Sequence, residues 1–136
     1  TAVKVLISLD DYSIIDELNR VIFELSREEC IPESVVEMAD EKDYCFDDIK
    51  FRAIKTPGHT PGGICLLFDQ HIITGDTLFK HAYGRTDLFG GNQLQMIESL
   101  RRLIKLNPGL KALPGHGEET TIAKEKKWIE RLASVL

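Results

Sequence analysis

The chain reads as an α/β (α+β) fold, a mixed β-sheet with helices on its outside. Three patterns lead there. Apolar, β-branched runs alternate along the chain with segments of helical periodicity. Ile49, Phe51 and Ala53 alternate with Lys50 and Arg52, the period of two that marks a strand with one wet face. Turns bearing Gly and Pro separate these segments. With 136 residues the chain fits one domain, residues 1–136, large enough for a true core.

Taken in order, Val3 to Leu9 is a strand continuous enough to be buried on both faces. Asp10, Asp11 and Ser13 offer capping oxygens to a helix whose stripe is Ile14, Ile15, Leu18, Val21, Ile22 and Leu25. Pro32 closes that region, and a short strand is expected from Val35 to Met38. After the Ile49–Ala53 strand, Ile64–Phe68 and His71–Thr74 form a hairpin across Asp69-Gln70, and Gly84, Gly90 and Gly91 mark a long loop. A second helix is capped by Asn92 with Gln95 and buries Leu94, Ile97, Leu100, Leu103 and Ile104, until Asn107-Pro108-Gly109 stops it. A strand at Leu110–Leu113 follows. The last helix starts at Thr120 or Thr121 and buries Ile122, Ile129, Leu132 and Leu136, with Lys124, Lys126 and Lys127 solvated.

The net charge of −5, with both signs interspersed, argues against a nucleic-acid binder dominated by phosphate contacts. No apolar run approaches a membrane span, so no membrane partner is expected. The opening Ala2 to Ile7 runs into Asp10-Asp11 instead of a small-residue cleavage site, so no secretory leader is read. Cys30, Cys45 and Cys65 are odd in number and lack C-x-x-C spacing; they read as reduced, buried or half-buried thiols of a cytoplasmic protein.

Three short segments carry the chemistry: Thr56-Pro57-Gly58-His59-Thr60-Pro61-Gly62, Thr74-Gly75-Asp76-Thr77-Leu78-Phe79 and Pro114-Gly115-His116-Gly117. Each places a metal-competent side chain in a Gly-bearing turn after a strand. Imidazole and carboxylate suit zinc, and imidazole also suits iron. His59, Asp76 and His116 are therefore expected to meet at one rim of the sheet as metal ligands. His71 and His81 lack that setting and read as structural or exposed. Arg85 and Asp87 read as a local ion pair or as support for the site.

These segments, together with Gly84-Arg85-Thr86-Asp87-Leu88, resemble in content and order the metallo-β-lactamase superfamily, best its glyoxalase II-like hydrolases. The strong likeness runs from about Ile49 to Lys127. The resemblance implies an αββα sandwich and a binuclear centre, normally zinc with iron or manganese as other options, holding a bridging hydroxide. His59 would bind the first metal, His116 the second, and Asp76 would bridge them. The other ligands come from an H-x-H-x-D-H motif on an earlier loop, which this sequence lacks; the domain is expected to lack its N-terminal part. The implied function is hydrolysis of an ester, thioester or amide small-molecule substrate, with this chain alone weakly metallated or empty and inactive. Two alternatives stay open: a non-catalytic scaffold that self-assembles to cover an exposed sheet face, and a mononuclear iron dioxygenase using two His and one carboxylate.

Overall fold

The structure is a computed structural model that describes residues 5–14 and 35–135. The strands are β1 (Val5–Ile7), β2 (Val35–Glu37), β3 (Lys42–Phe46), β4 (Ile49–Lys55), β5 (Ile64–Leu67), β6 (His71–Gly75), β7 (Leu78–Phe79), β8 (Ala82–Tyr83), β9 (Lys111–Pro114) and β10 (Thr120–Thr121). Helix α1 spans Gln93–Leu103 and α2 spans Ile122–Ser134; residues 9–14 are also helical. Six strands form one sheet in the order β10-β9-β6-β5-β4-β3. All neighbours are antiparallel except β6 and β9, which run parallel. This is the mixed sheet expected.

Both helices lie on one face of the sheet. Cys65, Ile72 and Ala112 from the strands pack with Met96, Leu100, Leu103, Ile122 and Ile129 from the helices to make the core. The opposite face carries Phe46, Ile49, Phe51, Leu66 and Ile73, in one set by the strand register. Phe46, Ile49 and Ile73 are 45%, 61% and 40% exposed. Phe51 stacks between Tyr44 and Phe46, at centroid distances of 5.5 and 6.1 Å.

Several expectations change. The first strand ends at Ile7, because the Ser8 carbonyl accepts from the N–H groups of Asp11 and Tyr12 and so opens the 9–14 helix. Asp10, Asp11 and Ser13 lie inside that helix and do not cap it. Strand β3 is an addition; it pairs with β4 through a turn in which Asp47 takes φ 51°. The β7–β8 hairpin occupies part of what reads as a loop. Leu94 is 62% exposed and Met96 takes the buried place. Cys45 is exposed, while Cys65 is fully buried as expected. The stripe from Ile15 to Leu25, Cys30, Pro32 and Leu136 lie outside the described residues.

The other elements match their signals. Asn92 caps α1 by accepting from Gln95 N–H, and Thr121 caps α2 by accepting from Lys124 N–H. The β5–β6 hairpin turns at Asp69-Gln70, with Phe68 N–H donating to His71 O at 2.8 Å. Among the described residues no helix is long and apolar enough to cross a membrane.

Candidate metal centre

Strand direction gathers the site. β4 is antiparallel to β5, β5 to β6, and β6 is parallel to β9, so β4, β6 and β9 all point the same way. Their C-terminal ends lie at one rim, and His59, Asp76 and His116 follow those ends. Asp76 stands between the two imidazoles: His116 Nδ1 is 2.8 Å from Asp76 Oδ1, and His59 Nε2 is 3.4 Å from Asp76 Oδ2. The side chains of His59 and Asp76 are about a quarter and a third exposed, and that of His116 largely exposed.

Glycines permit this approach at two points. Gly75 takes φ 49°, turning the chain out of β6. A Cβ on Gly115 would lie 2.8 Å from Asp76 Oδ1, so only glycine leaves the carboxylate its place. The Gly115 N–H in turn donates to Gly75 O at 2.8 Å, locking the two turns together.

The His59 loop is held from three sides. Thr56 N–H donates to Gly63 O, closing its base. Ser99 Oγ donates to Pro57 O, and Asn92 N–H donates to Gly58 O, tying it to the start of α1. Asp11 was missed as a site-supporting residue by sequence reasoning. Its Oδ1 accepts from Gly62 N–H at 2.7 Å and its Oδ2 from Thr60 Oγ1 at 2.9 Å. Below the loop, Thr56 Oγ1 lies 3.1 Å from Thr77 Oγ1 and 3.3 Å from Cys65 Sγ, a buried link between the His59 and Asp76 segments. Arg85 and Asp87 form the expected local pair, at 2.8 Å. The Arg85 guanidinium brings the Asp87 carboxyl down to about 2. His71 is half-buried, and the exposed His81 sets its Nδ1 3.5 Å from Glu125 Oε2.

The chemistry of the His59–Asp76 pair is specific. His59 Nδ1 lies 2.8 Å from the main-chain carbonyl of Arg85, which can only accept, so Nδ1 carries the hydrogen. A neutral ring then turns the Nε2 lone pair toward a carboxylate oxygen. Two acceptors face each other, and only a cation between them, a proton or a metal, satisfies both. A carbonyl fixing one imidazole nitrogen is the usual support for a ring that ligates through the other. The 3.4 Å separation is also close to the edge, about 3.3 Å, of a tetrahedron with zinc-like 2.0–2.1 Å bonds. His116 departs from this fit, because it faces Asp76 with Nδ1 in direct hydrogen-bond contact, leaving no room for an ion between them and turning Nε2 away from that carboxylate. Among the described residues no group of three His, Cys, Asp or Glu side chains is arranged to hold a metal ion. The residues fit a metal as a pair and do not complete its shell.

Comparison with known proteins agrees with the fold. The profile of the metallo-beta-lactamase superfamily matches residues 32–116. This chain belongs to the metallo-beta-lactamase superfamily, whose members generally bind metals such as zinc or iron. A probable metallo-hydrolase of Streptococcus pyogenes is 40% identical over 86 residues, which are 61% of this chain and 37% of that protein. Hydroxyacylglutathione hydrolase GloC of Haemophilus influenzae is 39% identical over 84 residues, 60% of this chain and 40% of that one. The crystal structure of TTHA1623 in a di-iron-bound form superimposes with a TM-score of 0.72 at 28% identity, covering 92% of this chain and 63% of that chain. The chain spans less than half the length of the curated relatives it matches.

Proposed function

We propose that this chain supplies His59, Asp76 and His116 to the centre of a metal-dependent hydrolase acting on an ester, thioester or amide. The carrying observation is the facing acceptor pair of His59 Nε2 and Asp76 Oδ2, with His59 Nδ1 held by the Arg85 carbonyl. His59 and Asp76 would hold the ion, and His116 would join once its Nδ1 contact is released. A divalent ion there supplies Lewis acidity and an acidified water near neutral pH. The chain's own residues hold the donors at one rim and keep the His59 tautomer fixed. Zinc is the first metal to test, with iron and manganese as competitors; the donor set suits zinc and iron.

Three ligand-type residues leave two metals badly under-coordinated, so the chain alone is inactive. The test is turnover of an acyl-glutathione thioester, the substrate class suggested by the H. influenzae relative's name, by two metal-loaded proteins. One is this chain alone. The other is this chain preceded by a superfamily segment that bears an H-x-H-x-D-H motif. Turnover only in the joined protein is expected. Robust turnover by this chain alone, or none in a folded, metal-loaded joined protein, overturns the reading.

The scaffold reading has its own observation, the apolar sheet face with Phe46, Ile49 and Ile73 exposed. Sedimentation separates it: a concentration-independent monomer counts against self-assembly through that face.

A further inference from the structure

Glu125 has no solvent exposure (0%), and nothing in the centre described above uses it. A carboxylate is tolerated in such a place only where hydrogen bonds replace its water. Its Oε1 accepts from Thr120 Oγ1; its Oε2 accepts from the Trp128 indole and, at 2.9 Å, from the main-chain N–H of His81. Burial pushes the Glu125 carboxyl up, but these donors outweigh it and hold the group below its ordinary value. The pocket is thus built for the charged form.

His81 lies at the tip of the β7–β8 hairpin and takes φ 59°, a left-handed backbone that a non-glycine residue keeps only when held. Tyr83, on the same hairpin, stacks on Trp128 with centroids 6.2 Å apart. Lys80, the other tip residue, pairs with Glu118 in the His116 loop.

This hairpin reaches all three members of the centre. It leaves from Asp76. Phe79 sets its ring edge-on to His116, at 6.1 Å and 77°. On the way out, Gly84 passes so close to the Asp76 carbonyl that a Cβ would stand 1.8 Å from it, and the Arg85 carbonyl then meets His59 Nδ1.

The geometry points to Glu125 as a positioning residue for this centre. By gripping the hairpin tip through the His81 N–H, it fixes the carbonyl that sets the His59 tautomer and the ring that borders His116. The inference rests on reading His59, Asp76 and His116 as one centre, and Glu125 itself touches none of them.

Long-range proton–nitrogen spectra of the imidazoles in the full chain test it without metal or substrate, so failure here is separate from failure of the hydrolase reading. In the unaltered chain the expected signal is a His59 ring whose Nδ1 always carries its hydrogen. Glu125→Gln keeps one oxygen to accept from the Trp128 and His81 N–H groups while its NH₂ donates to the Thr120 hydroxyl, so it is the conservative variant and leaves both signals in place. In Glu125→Met no accepting oxygen is left and the grip is lost. The expected result is a mixture of His59 tautomers and loss of the shift that Phe79 imposes on His116. His81→Gly removes the imidazole whose Nδ1 lies 3.5 Å from Glu125 Oε2 but keeps the main-chain N–H and suits the backbone, so both signals stay in place. Ile129→Val trims the buried face of the same helix and lowers stability with both signals unchanged. Should Glu125→Met not fold, the His81 amide of the unaltered chain is read directly by hydrogen exchange, where protection is expected. A folded Glu125→Met with unaltered His59 and His116 signals, or a His81 amide exchanging at the open-chain rate, overturns the proposal.

Discussion

The ring of His59 and the carbonyl of Arg85 meet at 2.8 Å across 26 residues of chain. The partner is main chain, so the Arg85 side chain is not what orients the ring. Its guanidinium is spent on Asp87, and both groups are well exposed. Arg85→Ala is expected to leave the urea midpoint of unfolding nearly where it was, and to leave the His59 tautomer unchanged in imidazole spectra.

Gly84 and Gly75 separate steric from conformational demand. An alanine Cβ at 84 would overlap the Asp76 carbonyl, whereas at 75 it meets nothing within 4 Å but inherits φ 49°. Gly84→Ala is expected to lose more than about 3 kcal/mol or fail to fold. Gly75→Ala should lose about 1–2 kcal/mol. Denaturant midpoints of the two variants check the order.

Asp11 holds the His59 loop by accepting from both Gly62 and Thr60. Asp11→Ala leaves the Gly62 N–H without its partner, at an expected cost of about 1–3 kcal/mol. Amide exchange at Gly62 should accelerate in the same variant. Asp11→Asn keeps one accepting oxygen and should recover part of the loss.

Cys65 makes stability sensitive to alkali. Burial pushes its thiol up from 9.0 to about 11, beyond what the Thr56 and Thr77 hydroxyls offset. The folded value exceeds the unfolded one, so the thiol's contribution is complete below pH 9 and is lost as pH rises toward 11. At about 1.4 kcal/mol per unit, the loss comes to roughly 2–3 kcal/mol. Cys65→Ala should be less stable at neutral pH from the cavity it leaves, yet show a shallower fall between pH 9 and 11. Unfolding curves across that range measure it.

The rim was legible because its signal is local. Each donor sits in its own glycine-bearing turn, and strand direction brings the turns together. Leu94 was misplaced for a reason no helical stripe contains: Gly58 lies against the Met96 backbone, where a Cβ would stand 2.5 Å from Met96 Cα, and this close approach rotates α1. Strand β3 was hidden because Lys42 and Asp43 interrupt its apolar alternation, which is plain only beside β4. Glu125 sits in Lys124-Glu125-Lys126-Lys127, which reads as a solvated face. Only the donors converging on it from Thr120, His81 and Trp128 mark it as interior.

Gly75 and Pro114 are paired rungs of one parallel ladder. The spacing between the residues that follow them is therefore set by sheet hydrogen bonds and not by the length of chain that joins the strands. Changes in the connecting chain that leave this ladder intact keep Asp76 and His116 at one separation, whereas Gly90, where a Cβ would stand 2.9 Å from Pro61 in the His59 loop, is no place for them.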